Sequence, residues 1–332
     1  MPFDDVVMAD WSGSSRPKVG KDSVWVAHGT TDGTVRSANH RTRAAAYEAI
    51  DGLVAAAVAG GRRLLAGFDF SFGYPAGFAA HLARTAAAGR AGTGVAGRAG
   101  TGRAGSAGTA RTGSQATTVA DDRAPWEVVW DHLAGAVRDD ADNGNNRFEV
   151  AAAVNEATGT AFFWGCPRPL PALSPTKRPP DGLAANPLPV FRVAEQVARR
   201  QVAKPVKSGW QLYGGVTVGS QVLLGLPYLQ ALRRRHGGRV VVWPQQTGFV
   251  ADPLAAFPDA RVVLAEIWPT AFHPAYGDGV RDDEQVRAVV AGTLARQAAG
   301  GLADWFDPSS ARQLSAEVRR QVVAEEGWIL GG

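Results

Sequence analysis

The chain has 332 residues, 45% of them hydrophobic and 20% charged, which is ordinary for a globular protein and long enough for one large domain or two modest ones. Its single cysteine, Cys166, excludes an intrachain disulfide and a cysteine-based zinc site. No run approaches the roughly 20 apolar residues of a membrane span, and Met1 to Met8 carry acids in place of the basic start of a signal peptide, so a cytoplasmic protein without a membrane partner is expected.

In chain order, Asp5–Trp11 (DVVMADW) is an apolar run that predicts a buried strand. Ser23–His28 and Thr34–Ala38 flank the turn signal Thr31-Asp32-Gly33 and predict a hairpin. Thr42–Ala59 is alanine-rich, with Tyr47, Ile50, Leu53 and Val54 at helical spacing, and Gly60-Gly61 stops it. Arg63–Phe70 predicts another buried strand. Residues 86–120 follow, where Gly, Ala, Thr and Arg fill 30 of 35 positions and no aromatic residue occurs. Such a run buries too little apolar surface to offset its ordering entropy and is read as a flexible surface insertion. The alternative is a cationic arm for phosphates. It holds four of the 35 basic residues and no acid, which leaves 31 of each sign elsewhere. The rest of the chain is therefore neutral, and its overall charge does not argue for a basic track along nucleic acid.

Helical spacing returns over Trp126–Val137, behind Pro125 in a first-turn position, and over Arg147–Glu156. Residues 164–190 hold eight prolines and read as irregular. Phe191–Val202 and Val216–Arg235 predict helices, the second closed by Gly237-Gly238. Arg239–Trp243 and Arg261–Trp268 predict strands, and Asp282–Ala298 and Ser309–Glu325 predict helices. Strands and helices recur to the end, as in one layered α/β domain elaborated in its middle.

Three acids share one kind of address. Asp10 (ADWSGS), Asp69 (GFDFSFGYP) and Glu266 (AEIWPTAF) each lie near the end of an apolar run, with a small residue, Gly or Pro soon after. An ionised carboxylate inside a sheet is costly unless paired or metal-bound. In open α/β sheets the site lies beyond the carboxyl ends of the strands, where these three would converge. Convergent carboxylates without His or Cys suit a hard cation, Mg²⁺ or Mn²⁺; otherwise each acid caps a turn separately. Asp282 and Asp283 open a helix, where acids are favoured by the dipole or add a ligand.

The polar run Asp142–Glu149 precedes an apolar helix, with Asn146 as N-cap and Glu149 as capping-box partner. Arg147 is left over and suits a phosphate or carboxylate. Residues 207–221, KSGWQLYGGVTVGSQ, contain Gly214-x4-Gly219 but place Ser220 where a Walker loop needs lysine. Lys207, Gln211 and Ser220 remain candidate substrate contacts at a Gly-rich helix entry. Nucleophilic catalysis has little support. Ser-x-x-Lys occurs twice, at Ser15–Lys18 and Ser174–Lys177, and Cys166 reads as a packed small hydrophobe. Of the histidines only His273, close after Glu266, invites attention.

The segments DWSGSSRPKVGKDSVW, GFDFSFGYPAGF, NNRFEVAAAVN, WQLYGGVTVGSQ and EIWP together resemble the predicted RNase H-like nuclease superfamily, the fold of ribonuclease H and RuvC resolvase. The likeness is closer to an uncharacterised bacterial branch whose members are sometimes labelled cobalamin or molybdopterin biosynthesis proteins. It covers most of the chain outside 86–120. It implies an α/β fold with a mixed sheet, three antiparallel strands and then parallel ones, flanked by helices. Residues 1–85 and 239–332 would be the two halves of that domain, and 121–238 a helical and proline-rich elaboration. Asp10 matches the first-strand acid, Asp69 the fourth-strand acid and Glu266 the acid before the proline. Relatives often show Asp-x-x-Asp-Ala entering the late helix. Aligned on Ala288, those acids fall on Glu284 and Arg287, so Asp282 or Asp283 would have to substitute.

The function implied is a Mg²⁺- or Mn²⁺-dependent phosphodiesterase or nuclease-like hydrolase. Asp10, Asp69, Glu266 and Asp283 would act in catalysis. Ser12, Arg147, Lys207, Gln211 and Ser220 would contact a phosphorylated small molecule or short nucleic acid. Two alternatives stand beside it. One is a nucleotide- or phosphometabolite-binding enzyme of the actin/sugar-kinase branch, with Asp10–Ser14 as phosphate loop. The other is a non-catalytic scaffold of the same fold, linked to cofactor biosynthesis.

Overall fold

The computed structural model describes residues 3–93, 123–179, 186–201, 206–214, 217–269 and 277–331. Its strands form a single mixed sheet. β1 (Asp5–Asp10), β2 (Val24–Thr30) and β3 (Val35–His40) pair antiparallel. β4 (Leu64–Phe68) lies parallel to β1, and β5 (Val240–Val242), β6 (Val262–Ile267) and β7 (Ile329–Leu330) continue the parallel half. The order is β3-β2-β1-β4-β6-β5, with β7 also joining β6. The expected succession of antiparallel and then parallel strands is present.

Local signals explain the element ends. In α1 (Arg43–Ala59) the Thr42 side chain accepts from Ala45 N at 3.2 Å, satisfying one of the free N–H groups of the first turn. Gly60 follows as C-cap, and Gly61 turns the chain away at φ 65°, a conformation that costs glycine little. The helices after it are α2 (Phe78–Thr93), α3 (Pro125–Ala136), α4 (Arg147–Thr158), α5 (Val193–Gln201) and α6 (Gly219–His236). α7 (Arg281–Ala298) and the short α8 (Ala303–Phe306), α9 (Ser309–Arg312) and α10 (Ala316–Gln321) follow, ahead of β7.

The three central strands are buried almost throughout because helices cover both faces of the sheet. Side chains alternate between two cores. Val7, Ala9, Phe68 and Leu264 pack with residues of α1, α3, α4 and α6. Met8, Leu65, Ala265 and Ile267 face the other way, against α7 and the carboxyl-terminal helices. No described helix is long and apolar enough to cross a membrane.

Three local expectations are corrected. α2 was not expected, and it carries the first eight residues of the 86–120 stretch, where alanine's helix propensity prevails over glycine. The rest of that stretch, from residue 94, lies outside the described residues, as does His273. The single helix expected over Ser309–Glu325 is broken: Ser315 accepts from Val318 N at 3.2 Å and starts α10 afresh, and α10 widens into a π turn at Val322–Glu326. Asn146 does not cap α4 with its side chain. Its Oδ1 accepts from Arg138 N at 2.7 Å, and Glu149 pairs with Arg168, so the capping box is absent.

Two glycines separate the demands of helix and close packing. Gly52 lies in α1 with open space where a Cβ would stand, whereas at Gly73 a Cβ would overlap the backbone carbonyls of Glu325 and Glu326. In denaturant titrations Gly52→Ala should raise stability by about 0.5–1 kcal/mol. Gly73→Ala should lower it by about 1–3 kcal/mol.

Candidate functional site

Parallel register pairs Ala9 of β1 with Phe68 of β4, so Asp10 and Asp69 follow side by side at the carboxyl ends of neighbouring strands. The two carboxyls hydrogen-bond to each other. Trp11 N donates to Asp69 Oδ1 at 2.7 Å, which fixes that carboxyl against the start of the β1–β2 loop. α7 brings a third acid. Asp282, in its first turn, accepts from Asp22 N at 2.6 Å and acts electrostatically on both members of the pair.

Burial and mutual repulsion shape this cluster. Desolvation, then the charges of Asp69 and Asp282, hold the Asp10 carboxyl well above the usual carboxylate range. Desolvation also lifts Asp69, to about 7, against the lowering effect of the bonds from Trp11 N and Asp10. Two carboxyls this close do not both ionise readily, so the pair as a whole holds on to a proton above the usual carboxylate range. Asp282 is raised as well, chiefly by burial.

Glu266 does not join them. It pairs in register with Phe68, one step out of phase with Asp69, and therefore projects on the opposite face of the sheet. There the buried Arg192 grips it bidentately, Nη2 to Oε1 at 2.7 Å and Nη1 to Oε2 at 2.8 Å, while Phe72 N donates to Oε2 at 3.1 Å. Arg192 also bonds Glu195, Ser71 Oγ and Glu326 O. The expected convergence of Asp10, Asp69 and Glu266 is thus corrected by strand phase. From the helix it is Asp282 whose charge acts on the pair; Asp283, the acid expected there, has a buried Oδ1 with no hydrogen-bond partner. Among the described residues no group of three His, Cys, Asp or Glu side chains is set to hold a metal ion.

The remaining candidates fall around the Trp11–Ser15 loop. Ser12 Oγ donates to Asp22 O at 2.9 Å and accepts from Ser14 N at 3.2 Å, bracing the loop. Arg43, which the sequence did not single out, lies fully buried beneath it. Its guanidinium donates to Ser12 O and Ser14 O, to both Asp139 carboxylate oxygens at 2.6 Å, and to Asn143 O. Within the polar run 142–146 it is Asn143 that holds Arg43, its Oδ1 also accepting from Arg43 N at 2.9 Å. Arg147 lies beside it and bonds Ser220, Ser15 and Asn145. Gln211 donates to the carbonyls of Lys177 and Tyr213, and Lys207 is half-buried. Arg287 reaches toward Ser37 of β3, at 3.5 Å. A cavity of about 360 Å³ lies elsewhere, between α2, α3 and α4, and Asp10, Asp69 and Asp282 do not line it.

Comparison with protein-family models, with curated proteins and with solved structures finds no match for this chain.

A raised carboxyl pKa stabilises the fold below the unfolded value, near 4, and that contribution is lost as pH rises through the folded value. For Asp69 the window therefore runs from roughly pH 4 to above pH 7. Asp10→Asn keeps the proton donor to Asp69 and removes the repulsion. It should raise the thermal midpoint by about 2–5 °C at pH 8 and flatten its fall between pH 5 and 8. A calorimetric pH series on both proteins checks this.

Proposed function

We propose that the chain is a divalent-metal-dependent phosphodiesterase of the nuclease-like kind, acting on a small nucleotide-like substrate or a short nucleic-acid segment. The observation that carries the reading is the Asp10–Asp69 pair. Two acids side by side at the ends of buried strands oppose folding, and no Lys, Arg or His of the described residues forms an ion pair with either one. An arrangement that costs stability and is unrelieved by the fold supports a role in binding.

The donor set fits a hard cation. Mg²⁺ binds through one or two carboxylates and fills its other positions with water and substrate phosphate oxygens. Asp10 and Asp69 supply the two carboxylates, and Asp282 adds charge from α7. Glu266, engaged by Arg192, supplies none, so the set fits one ion rather than two. Such an ion supplies Lewis acidity toward a phosphoryl oxygen and lowers the pKa of water. The protein's part is positional and protonic. The Trp11 N–H orients Asp69, and the bonds of Ser12 and Arg43 fix the loop that follows Asp10. The pair must lose its shared proton before it can bind a cation, so affinity rises with pH.

Isothermal titration with Mn²⁺ should show saturable binding that strengthens from pH 6 to pH 8 and disappears in Asp10→Asn. Glu266→Gln should keep it while lowering the thermal midpoint. Hydrolysis of bis(p-nitrophenyl) phosphate should follow the same metal and pH dependence. No Mn²⁺ binding by wild type at about 10 mM would leave the pair without a catalytic role. Duplex DNA of about 30 base pairs should bind only at non-specific affinity in physiological salt, given the neutral balance outside 86–120.

A further inference from the structure

Among the described residues, the buried Arg147 guanidinium is bonded to no carboxylate. It is 7% exposed, and its guanidinium donates to Ser220 Oγ at 2.8 Å, Ser15 Oγ at 2.9 Å and Asn145 Oδ1 at 2.6 Å, all neutral acceptors. Among the described residues nothing accepts from Nη2. The nearest acids are spent: Asp139 is held bidentately by Arg43, and Glu149 pairs with Arg168. A buried guanidinium ordinarily takes a carboxylate partner, as Arg43 and Arg192 do here. Arg147 instead has a second guanidinium for a neighbour. Burial first, and Arg43 next, push it down to about 10, yet it remains charged at neutral pH.

The surroundings are those of an anion subsite. Ser15, which accepts from Arg147 Nη1, is exposed, on the loop that runs directly from Asp10. Ser220 lies in the first turn of the 18-residue α6, at its positive end. The Ser220 hydroxyl is oriented by donating to Leu212 O at 2.6 Å, and Gly13 packs its α-carbon against the Ser220 side chain. Arg16 is exposed on the same loop. Nη2 belongs to both edges that a guanidinium offers to a phosphate or carboxylate.

We propose that Arg147, with Ser15 and the start of α6, binds a phosphate group of the substrate, on the opposite side of the Trp11–Ser15 loop from the Asp10–Asp69 pair. The proposal rests on the phosphodiesterase reading, and it narrows the substrate to one that carries a second, non-reacting phosphate. Recognition is then two-pointed: the acid pair meets the reacting phosphodiester and Arg147 the other phosphate.

The probe is inorganic phosphate, and pyrophosphate in parallel, titrated into the full chain without metal at pH 8 and followed by calorimetry and ³¹P NMR. Wild type should bind saturably, with Kd of about 1–10 mM for phosphate. Arg147→Gln should weaken binding about 10-fold or more, and Ser15→Ala about 3-fold, because hydrogen bonds to a charged group are lost. Asp10→Asn should bind phosphate at least as well as wild type. Where Arg147→Gln fails to fold, Ser15→Ala decides, since Ser15 is exposed and its loss leaves the bonds of Arg147 to Ser220 and Asn145 in place. Absence of saturable binding by wild type, unchanged affinity in Arg147→Gln, or unchanged affinity in Ser15→Ala overturns the subsite. Phosphate binding that depends on Arg147, in a chain that binds no Mn²⁺, keeps the anion site and removes the metal-dependent reading. Mn²⁺ binding without phosphate binding does the reverse.

Discussion

The period of two along a β-strand governs how charge is distributed in this protein. β1, β4 and β6 are parallel neighbours buried on both faces, so an acid near a strand end has only two directions to take. Asp10 and Asp69 fall in the same phase and meet. Glu266 falls one step away and emerges on the other side. A one-residue shift of β6 against β4 would exchange the roles of Glu266 and Ile267, placing an acid among the residues that pack on α7. The phase of three strands thus separates an uncompensated acid pair from a compensated one.

Compensation follows the same division. On the Glu266 side, Arg192 bridges Glu195, Glu266, Ser71 and the Glu326 carbonyl, tying α5, β6 and the segment after β4 into one buried network. Removing one partner from such a network leaves a buried charge alone, which costs far more than the network contributes in sum. On the other side, among the described residues, Asp10 and Asp69 answer each other and backbone N–H groups, with no cation paired to them. Arg43 secures the loop between them and Arg147, using Asp139 to neutralise itself. A negative pair and a positive guanidinium, neither joined in an ion pair among the described residues, thus lie near one short loop.

Much of the architecture was legible in the sequence because it is local. Apolar runs marked β1, β4 and β6, Gly60-Gly61 ended α1, and Thr31-Asp32-Gly33 marked the turn between β2 and β3. Asp10 and Asp69 were legible as acids inside apolar strands. Phase between distant strands was not: Glu266 has the same local address as Asp69, and only the pairing with Phe68 reveals its direction. Arg192 carried a faint signal, an arginine three residues before Glu195, yet its grip on Glu266 spans 74 residues. Arg43 carried none, since an arginine opening an alanine-rich helix reads as a solvated one. Asn146 and Glu149 had the spacing of a capping box, but tertiary partners, Arg138 and Arg168, took both. α2 was obscured by composition, where glycine and alanine argue in opposite directions.

The acids of the π turn after α10 bear on how the chain is made. Glu325 accepts from Gly77 N and Ala79 N, and Glu326 from Ala76 N, so the entry to α2 is satisfied by residues 246 to 250 positions downstream. At about 5–20 residues per second, a ribosome takes roughly 12–50 s to supply them. β4 likewise waits for β6, its partner on the edge away from β1. During that interval the amino-terminal strands present an open edge and α2 begins with bare N–H groups, a state prone to pairing with other chains. During synthesis, closure of this part of the fold is thus a late, non-local event that follows the early hairpin.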